Sequence, residues 1–305
     1  MPPFADAGPG AATEPLTASS WLTTWVLDPV ATVVLLAMGA FYLYGVRVLR
    51  RRGDRWPWGR TVSFVLLGLG SGAAATQSAV GVYDTALLSV HMVQHLLLAM
   101  VLPVFLALGA PVSLALRTLP GTPRRWLLAA LHSRVARMVS FPAVAFVLYV
   151  TAPWALYVTG WYAATLESAY LHEALHGHFL LVGCLFFWPL LGLDPVPGRV
   201  AYPFRLLTVF ATLPFHAFLG TTIMSMTTPV AGPADVAVHR DWGPSVLADQ
   251  NLAGALLWAT GDLVGLVLFA VLFVQWVRQS QREAAREDRR LDLLQARTGG
   301  AASGR

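Results

Sequence analysis

The chain has 305 residues, of which 56% are hydrophobic and 12% charged, against about 25% charged in an ordinary soluble domain. With a mean hydropathy of +0.60, that composition excludes a soluble enzyme, a nucleic-acid binder and a disordered protein. The net charge of +5 is carried by arginine alone. With no lysine there is no Schiff-base chemistry, which excludes a retinal-binding pump. The single cysteine, Cys184, excludes an internal disulfide and any Cys-x-x-Cys metal motif.

Residues 1–29 read as an extracytoplasmic N-terminal segment, with neither the basic region nor the apolar region of a cleaved signal peptide. A bilayer core needs about 20 apolar residues per helix. Seven stretches meet that need: Val30–Leu49, Thr61–Val80, Thr85–Gly109, Ser140–Gly160, Leu166–Leu193, Tyr202–Ser225 and Val246–Arg278. The expected fold is therefore an all-α bundle of seven transmembrane helices over residues 30–278. Residues 126–139 read as a basic helix on the membrane surface, and residues 279–305 as a charged cytoplasmic tail.

Arginines set the expected orientation. The link after span one holds Arg50, Arg51, Arg52, Arg55 and Arg60. The link after span three holds Arg117, Arg124, Arg125, Arg134 and Arg137. Arg199 lies between spans five and six with Arg205 just inside span six, and the tail runs from Arg278 through Arg297 to Arg305. The opposite side keeps Arg240 alone. The positive-inside rule then puts the N-terminus outside and the C-terminus in the cytoplasm. Trp21, Trp25, Trp161 and Trp242 read as an outer aromatic belt, and Trp56, Trp58, Trp126 and Trp276 as an inner one.

Six of the eight histidines fall inside spans, where an ionisable group is a functional hypothesis by default. At 1.5 Å per residue, His91 and His172 lie about 9 Å below the outer ends of their helices, and His95, His176 and His216 about 15 Å. His91 with His95, and His172 with His176, are i,i+4 pairs that share a helix face. Five imidazoles at matched depth point to a metal site. His178 falls on another face of its helix; His132 and His239 lie on the surface and in a loop. None of these three is assigned a role. Met224 and Met226 sit at the mouth of span six. Thioether with imidazole favours copper, Cu(I) above all. Pro214 is expected to loosen the helix beside His216. Asp84, Glu167, Glu173 and Asp249 fall near the outer helix ends as ligand-orienting or cation-attracting carboxylates, and Asp235 and Asp241 add charge to the same side. Asp262 lies deeper and needs a partner.

Two other chemistries fit part of this pattern. His172–His176 spells HEALH, the HExxH pattern in which two helical histidines hold zinc and the glutamate activates water. An intramembrane zinc metalloprotease would take His216 as a third ligand, but it does not use His91 and His95. A haem-binding electron carrier would use axial imidazoles, yet five at one level exceed its need.

The run HMVQHLLLAMVLPVFLALGAPVSLALRTLP, His91–Pro120, resembles the signature segment of the multi-span CtaG family, bacterial membrane assembly factors of caa-type cytochrome c oxidase. HEALHGHFLLVGCLFFWPLLGLDPVP, FHAFLG and DQNLAGALLW are similar to its later segments, so the resemblance covers about Ala31 to Gln275. It implies a bacterial plasma-membrane protein that is not an enzyme. Such a protein takes copper from an extracytoplasmic chaperone and supplies it to the copper B centre of a haem-copper oxidase catalytic subunit. No nucleic-acid partner is implied. The family's functional residues carry over onto His91, His95, His176 and His216; His172 and Glu173 join them through HEALH. A single-span copper chaperone of the same name works through cysteines that this chain lacks.

Overall fold

A computed structural model describes residues 14–195, 197, 200–232 and 240–302, with side chains in the last helix described as far as Leu291. Arg199, Asp235, His239, Arg305 and the side chain of Arg297 lie outside the described residues. The described chain is helical, and its one β-type contact is an isolated bridge between Trp25 and Ser78.

The first long helix, α1, is Pro29–Arg51. Asp28 starts it: the carboxylate accepts from the backbone N–H of Val30 (2.8 Å) and Ala31 (3.1 Å), while Pro29 needs no such partner. A second rod, α2, runs through Trp58–Thr61, a π-helical stretch Val62–Leu69, and Gly70–Gln77. It breaks at Ser78, whose extended backbone and hydroxyl cap a short helix α3, Ala79–Tyr83. Next, α4 spans Leu88–Leu108, with a π-helical turn at Leu97–Val101. Pro103 accounts for that turn: it has no N–H for the carbonyl of Ala99 and its ring crowds that oxygen.

Three short helices follow: α5 Pro111–Thr118, α6 Gly121–Leu131 and α7 Arg134–Val139. The basic stretch 126–139, expected as one surface helix, is thus two. The break lies at Ser133, whose hydroxyl accepts from Ala136 N–H and starts α7. Then α8, Pro142–Val158, meets α9, Trp161–Glu167, at a 71° bend through Gly160 at φ +79°, a conformation glycine adopts without strain. Helix α9 occupies the gap left between the expected spans Ser140–Gly160 and Leu166–Leu193 and the start of the latter. The bundle is completed by α10 Ala169–Leu191, α11 Tyr202–Ser225 and α12 Val246–Ala302.

Five of these helices are long and apolar enough to cross a membrane, six if α8 and α9 form one bent span. The expected seventh, Thr61–Val80, falls short because its second half is rich in Gly, Ser, Thr and Gln and stops at Ser78. The exterior is apolar: Leu36, Phe41, Tyr170, Phe204, Phe218 and Leu263 are each more than 60% exposed. An exterior with so many large apolar side chains exposed fits contact with lipid. Trp56 departs from the expected inner belt. It is buried, and its indole N–H donates to Tyr42 Oη (3.1 Å), which donates to the Gly109 carbonyl (2.9 Å).

The most buried of the candidate spans is α4, so its polar side chains are enclosed on all sides. Two glycine contacts draw neighbours close. A Cβ at Gly183 on α10 would lie 2.3 Å from the Ala99 carbonyl oxygen, the one to which Pro103 cannot donate. Gly220 on α11 and Gly254 on α12 face each other, each with a hypothetical Cβ 2.6 Å from the other's carbonyl oxygen. A further cap acts across the chain: Asp194 accepts from Val112 N–H (3.2 Å), Ser113 N–H (2.8 Å) and the Trp188 indole (2.9 Å), holding the start of α5.

Candidate metal centre

The HMVQH run of α4 turns three polar side chains inward. His91 and Gln94 have no exposed surface and His95 is 4% exposed. Being i,i+4, the imidazoles of His91 and His95 lie against each other, tilted by 52°, with ring centroids 4.0 Å apart. On α10, His172 and His176 share the spacing and meet edge-on at 4.7 Å. The two pairs meet through His91 and His172, whose rings are 5.7 Å apart. His178 is exposed.

Asp84 reaches this cluster because the break at Ser78 turns α3 back. It is 4% exposed. Its Oδ2 lies 2.9 Å from His172 Nε2, 3.9 Å from His176 Nε2 and 2.7 Å from Gln94 Nε2. Asp84, His172 and His176 can each offer a ligand atom within 4.8 Å of the others. Gln94 sets the protons. Its amide N–H groups donate to Asp84 and to the Ala75 carbonyl (3.1 Å), so its oxygen faces His176 Nε2 at 3.0 Å and must accept from it. Asp84 accepts from His172 Nε2 in the same sense. Both imidazoles thereby present Nδ1 as a bare lone pair. This is the carboxylate–histidine and amide–histidine orientation that fixes metal-ligating tautomers.

Those nitrogens make no hydrogen bond, although Glu173 Oε2 lies 3.6 Å from His176 Nδ1. Buried without a hydrogen bond are both nitrogens of His91, Nε2 of His95, and Nδ1 of His172, His176 and His216. An unsatisfied buried polar atom costs about 1–3 kcal/mol, and several gathered in one place fit a bound cation whose ligands they are.

His216 is buried on α11 within a helix that Pro214 does not interrupt. It contacts Tyr149 edge-on at 5.9 Å. With His95 it lines a separate cavity of about 30 Å³ rather than joining the Asp84 group. Tyr157 holds His95 through a 2.7 Å hydrogen bond to Nδ1, and Phe179 packs on the same ring at 4.0 Å.

The remaining sequence candidates are dispersed. Glu173 is half exposed, with Oε2 3.6 Å from His176 Nδ1. Asp249 accepts from the hydroxyl and N–H of Ser89, so it caps the start of α4. Met224 packs where Gly254 leaves room, and neither it nor Met226 lines the histidine-walled cavity. Glu167 is exposed. Asp262 accepts from the Trp258 indole (2.9 Å), which supplies the partner it needed. Sequence reasoning passed over Gln94, Tyr157 and Met92. Gln94 had a signal: an uncharged polar side chain inside an apolar run, between two histidines.

The family model described as cytochrome c oxidase caa3 assembly factor matches residues 40–279. The chain is similar to the uncharacterized protein Mb0105 of Mycobacterium bovis and MT0111 of Mycobacterium tuberculosis, each 41% identical over 288 residues, 92% of this chain and 43% of the relative. It is 37% identical over 284 residues to ML1998 of Mycobacterium leprae, covering 90% of this chain and 43% of that protein. The chain thus spans less than half the length of the curated relatives it matches. No solved structure matches it. The match over most of the chain, on the helices that carry the histidines, makes it a member of the cytochrome c oxidase caa3 assembly factor family.

Proposed function

We propose that this protein binds copper among His91, His95, His172, His176 and His216 and passes it to the copper B centre of a haem-copper oxidase catalytic subunit in the bacterial plasma membrane. On this reading copper is cargo rather than a resident cofactor, received from an extracytoplasmic chaperone. The proposal includes seven spans, the sequence's own count, with α2 crossing despite its polar half, the N-terminus outside and the C-terminus in the cytoplasm. The observation that carries it is the set of buried, unpartnered imidazole nitrogens around Asp84. Neutral imidazole suits copper, and a surplus of ligands suits a carrier that must release its ion by ligand exchange. Family membership supports the oxidase as recipient.

One observation favours a second reading. Asp84, His172 and His176 together form an HExxH pair with a distant carboxylate, the three-ligand arrangement of a zinc hydrolase, with Glu173 beside it. Glu173→Gln separates the two. It removes the general base and keeps every imidazole, so a carrier retains its copper and its support of oxidase activity. A hydrolase keeps its zinc and loses function by a factor of about 100 or more. Copper in the purified wild-type protein, with oxidase activity intact in Glu173→Gln, is the expected result. Zinc with loss of function in that variant would overturn the proposal.

A further inference from the structure

The histidines divide into two ligand sets of different chemistry. One is hard and polar: Asp84, His172, His176 and Gln94, joined by the hydrogen bonds above. The other surrounds the cavity of about 30 Å³ walled by Met92, His95, Met100, Tyr149, Tyr157 and His216, among others. That volume holds about two water-sized bodies. His95 Nε2 and His216 Nδ1, from α4 and α11, are buried without a hydrogen bond. With Nδ1 of His95 held by Tyr157, Nε2 is the nitrogen left for a ligand. Met92 is fully buried and Met100 3% exposed, and Tyr157 Oη lies 3.9 Å from Met92 Sδ.

The π-helical turn explains why Met100 is there at all. Five residues beyond His95, it would stand about 140° away round an α-helix. The i→i+5 turn at Leu97–Val101 takes up that excess and returns Met100 to the cavity side. A methionine in a core is usually filler. Two of them sharing a small cavity with two unpartnered imidazoles form a soft donor set.

We infer that this cavity is a second, distinct Cu(I) site, built from His95 and His216 with the thioethers of Met92 and Met100, and that His91 links it to the Asp84 site. The inference rests on the copper reading above. The His91 ring lies 4.0 Å from His95 and 5.7 Å from His172, and neither of its nitrogens makes a hydrogen bond. It can take an ion from one set before the other lets go. The transfer is ligand exchange: one copper–nitrogen bond forms as another breaks, and copper stays Cu(I). Soft ligands hold Cu(I) against Zn(II), so the inner set selects what the polar set admits.

The test is titration of the purified full chain with Cu(I) under reducing conditions, against a chromogenic Cu(I) chelator, with X-ray absorption at the copper edge. Wild type should bind two ions, with sulfur among the copper neighbours. His216→Ala, and the double variant Met92→Leu with Met100→Leu, should each bind one. The double variant should lose the sulfur signal; leucine keeps the volume, so folding is retained. Asp84→Asn should keep the sulfur-ligated ion. One ion in the wild type, or two in the methionine variant with an unchanged spectrum, would overturn the second site and leave the copper reading standing. No bound Cu(I) in the wild type would overturn both.

Discussion

Gln94 shows how a single side chain can set the state of a buried cluster. Its amide is oriented by two acceptors, Asp84 and the Ala75 carbonyl, and that orientation dictates which nitrogen of His176 carries the proton. Asp84 does the same for His172. Partners that fix a ligand's tautomer typically contribute a factor of 10–100 in metal affinity. Gln94→Leu should therefore weaken copper binding at the Asp84 site about 10–100-fold in a chelator competition, with little change in helix content. Unchanged affinity would mean that the imidazoles choose their tautomers without it. The i,i+4 histidine pairs were legible in the sequence because helical spacing alone puts them on one face. Asp84 was read as a rim carboxylate because the fold-back after Ser78 has no periodic signature: a serine cap inside a small-residue stretch looks like a continuing helix. The separation of His216 from the Asp84, His172 and His176 group was hidden for a different reason. Depth along a helix follows from counting residues, but rotation about its axis follows from packing.

Proline and glycine act together on the helices. Pro103 cannot donate to the Ala99 carbonyl and favours the π-helical turn, and Gly183 lets α10 approach that carbonyl closely enough to bring His176 and Phe179 against α4. A methyl group at position 183 would sit 2.3 Å from a backbone oxygen that cannot swing aside. Gly183→Ala should cost about 1–3 kcal/mol through overpacking, seen as a lowered Tm in detergent. It should also weaken copper binding, because the two histidine pairs are pushed apart. A variant with wild-type Tm and affinity would mean that the helices rearrange at no cost and that their spacing does not define the site. The long helices themselves were evident from hydropathy. The bend at Gly160, the helix α9 and the division of the surface stretch into α6 and α7 were not. Each depends on the backbone conformation of one residue, Gly160 or Ser133, which residue type permits but does not dictate.

Charge is distributed unevenly over the whole chain, and this asymmetry carries the proposed direction of access. Arg50, Arg51, Arg52, Arg55 and Arg60 fall at one end of α1 and α2, and Arg117, Arg124 and Arg125 join them from α5 and α6. Arg52 donates to the Arg117 carbonyl at 3.1 Å, Arg117 pairs with Asp54 at 3.5 Å, and Arg50 lies over Trp58 at 4.9 Å. A cation approaching that face meets a repulsive field. Asp84 lies between α3 and α4, at the end of the bundle reached by the N-terminus of α4, the opposite end of α2 from Arg60. If the arginine face is cytoplasmic, copper arrives from outside and meets the Asp84 set first. The orientation can be checked with engineered cysteines, because the one natural thiol, Cys184, is partly buried in α10. In a Cys184→Ala background, Ser20→Cys should react with a membrane-impermeant maleimide on intact cells. Arg282→Cys, on the charged extension of α12, should react only after permeabilisation. The reverse pattern would put the arginines outside and make the Asp84 end cytoplasmic. Copper delivery would then have to start from a cytoplasmic donor, and the proposed extracytoplasmic chaperone would have no site to serve.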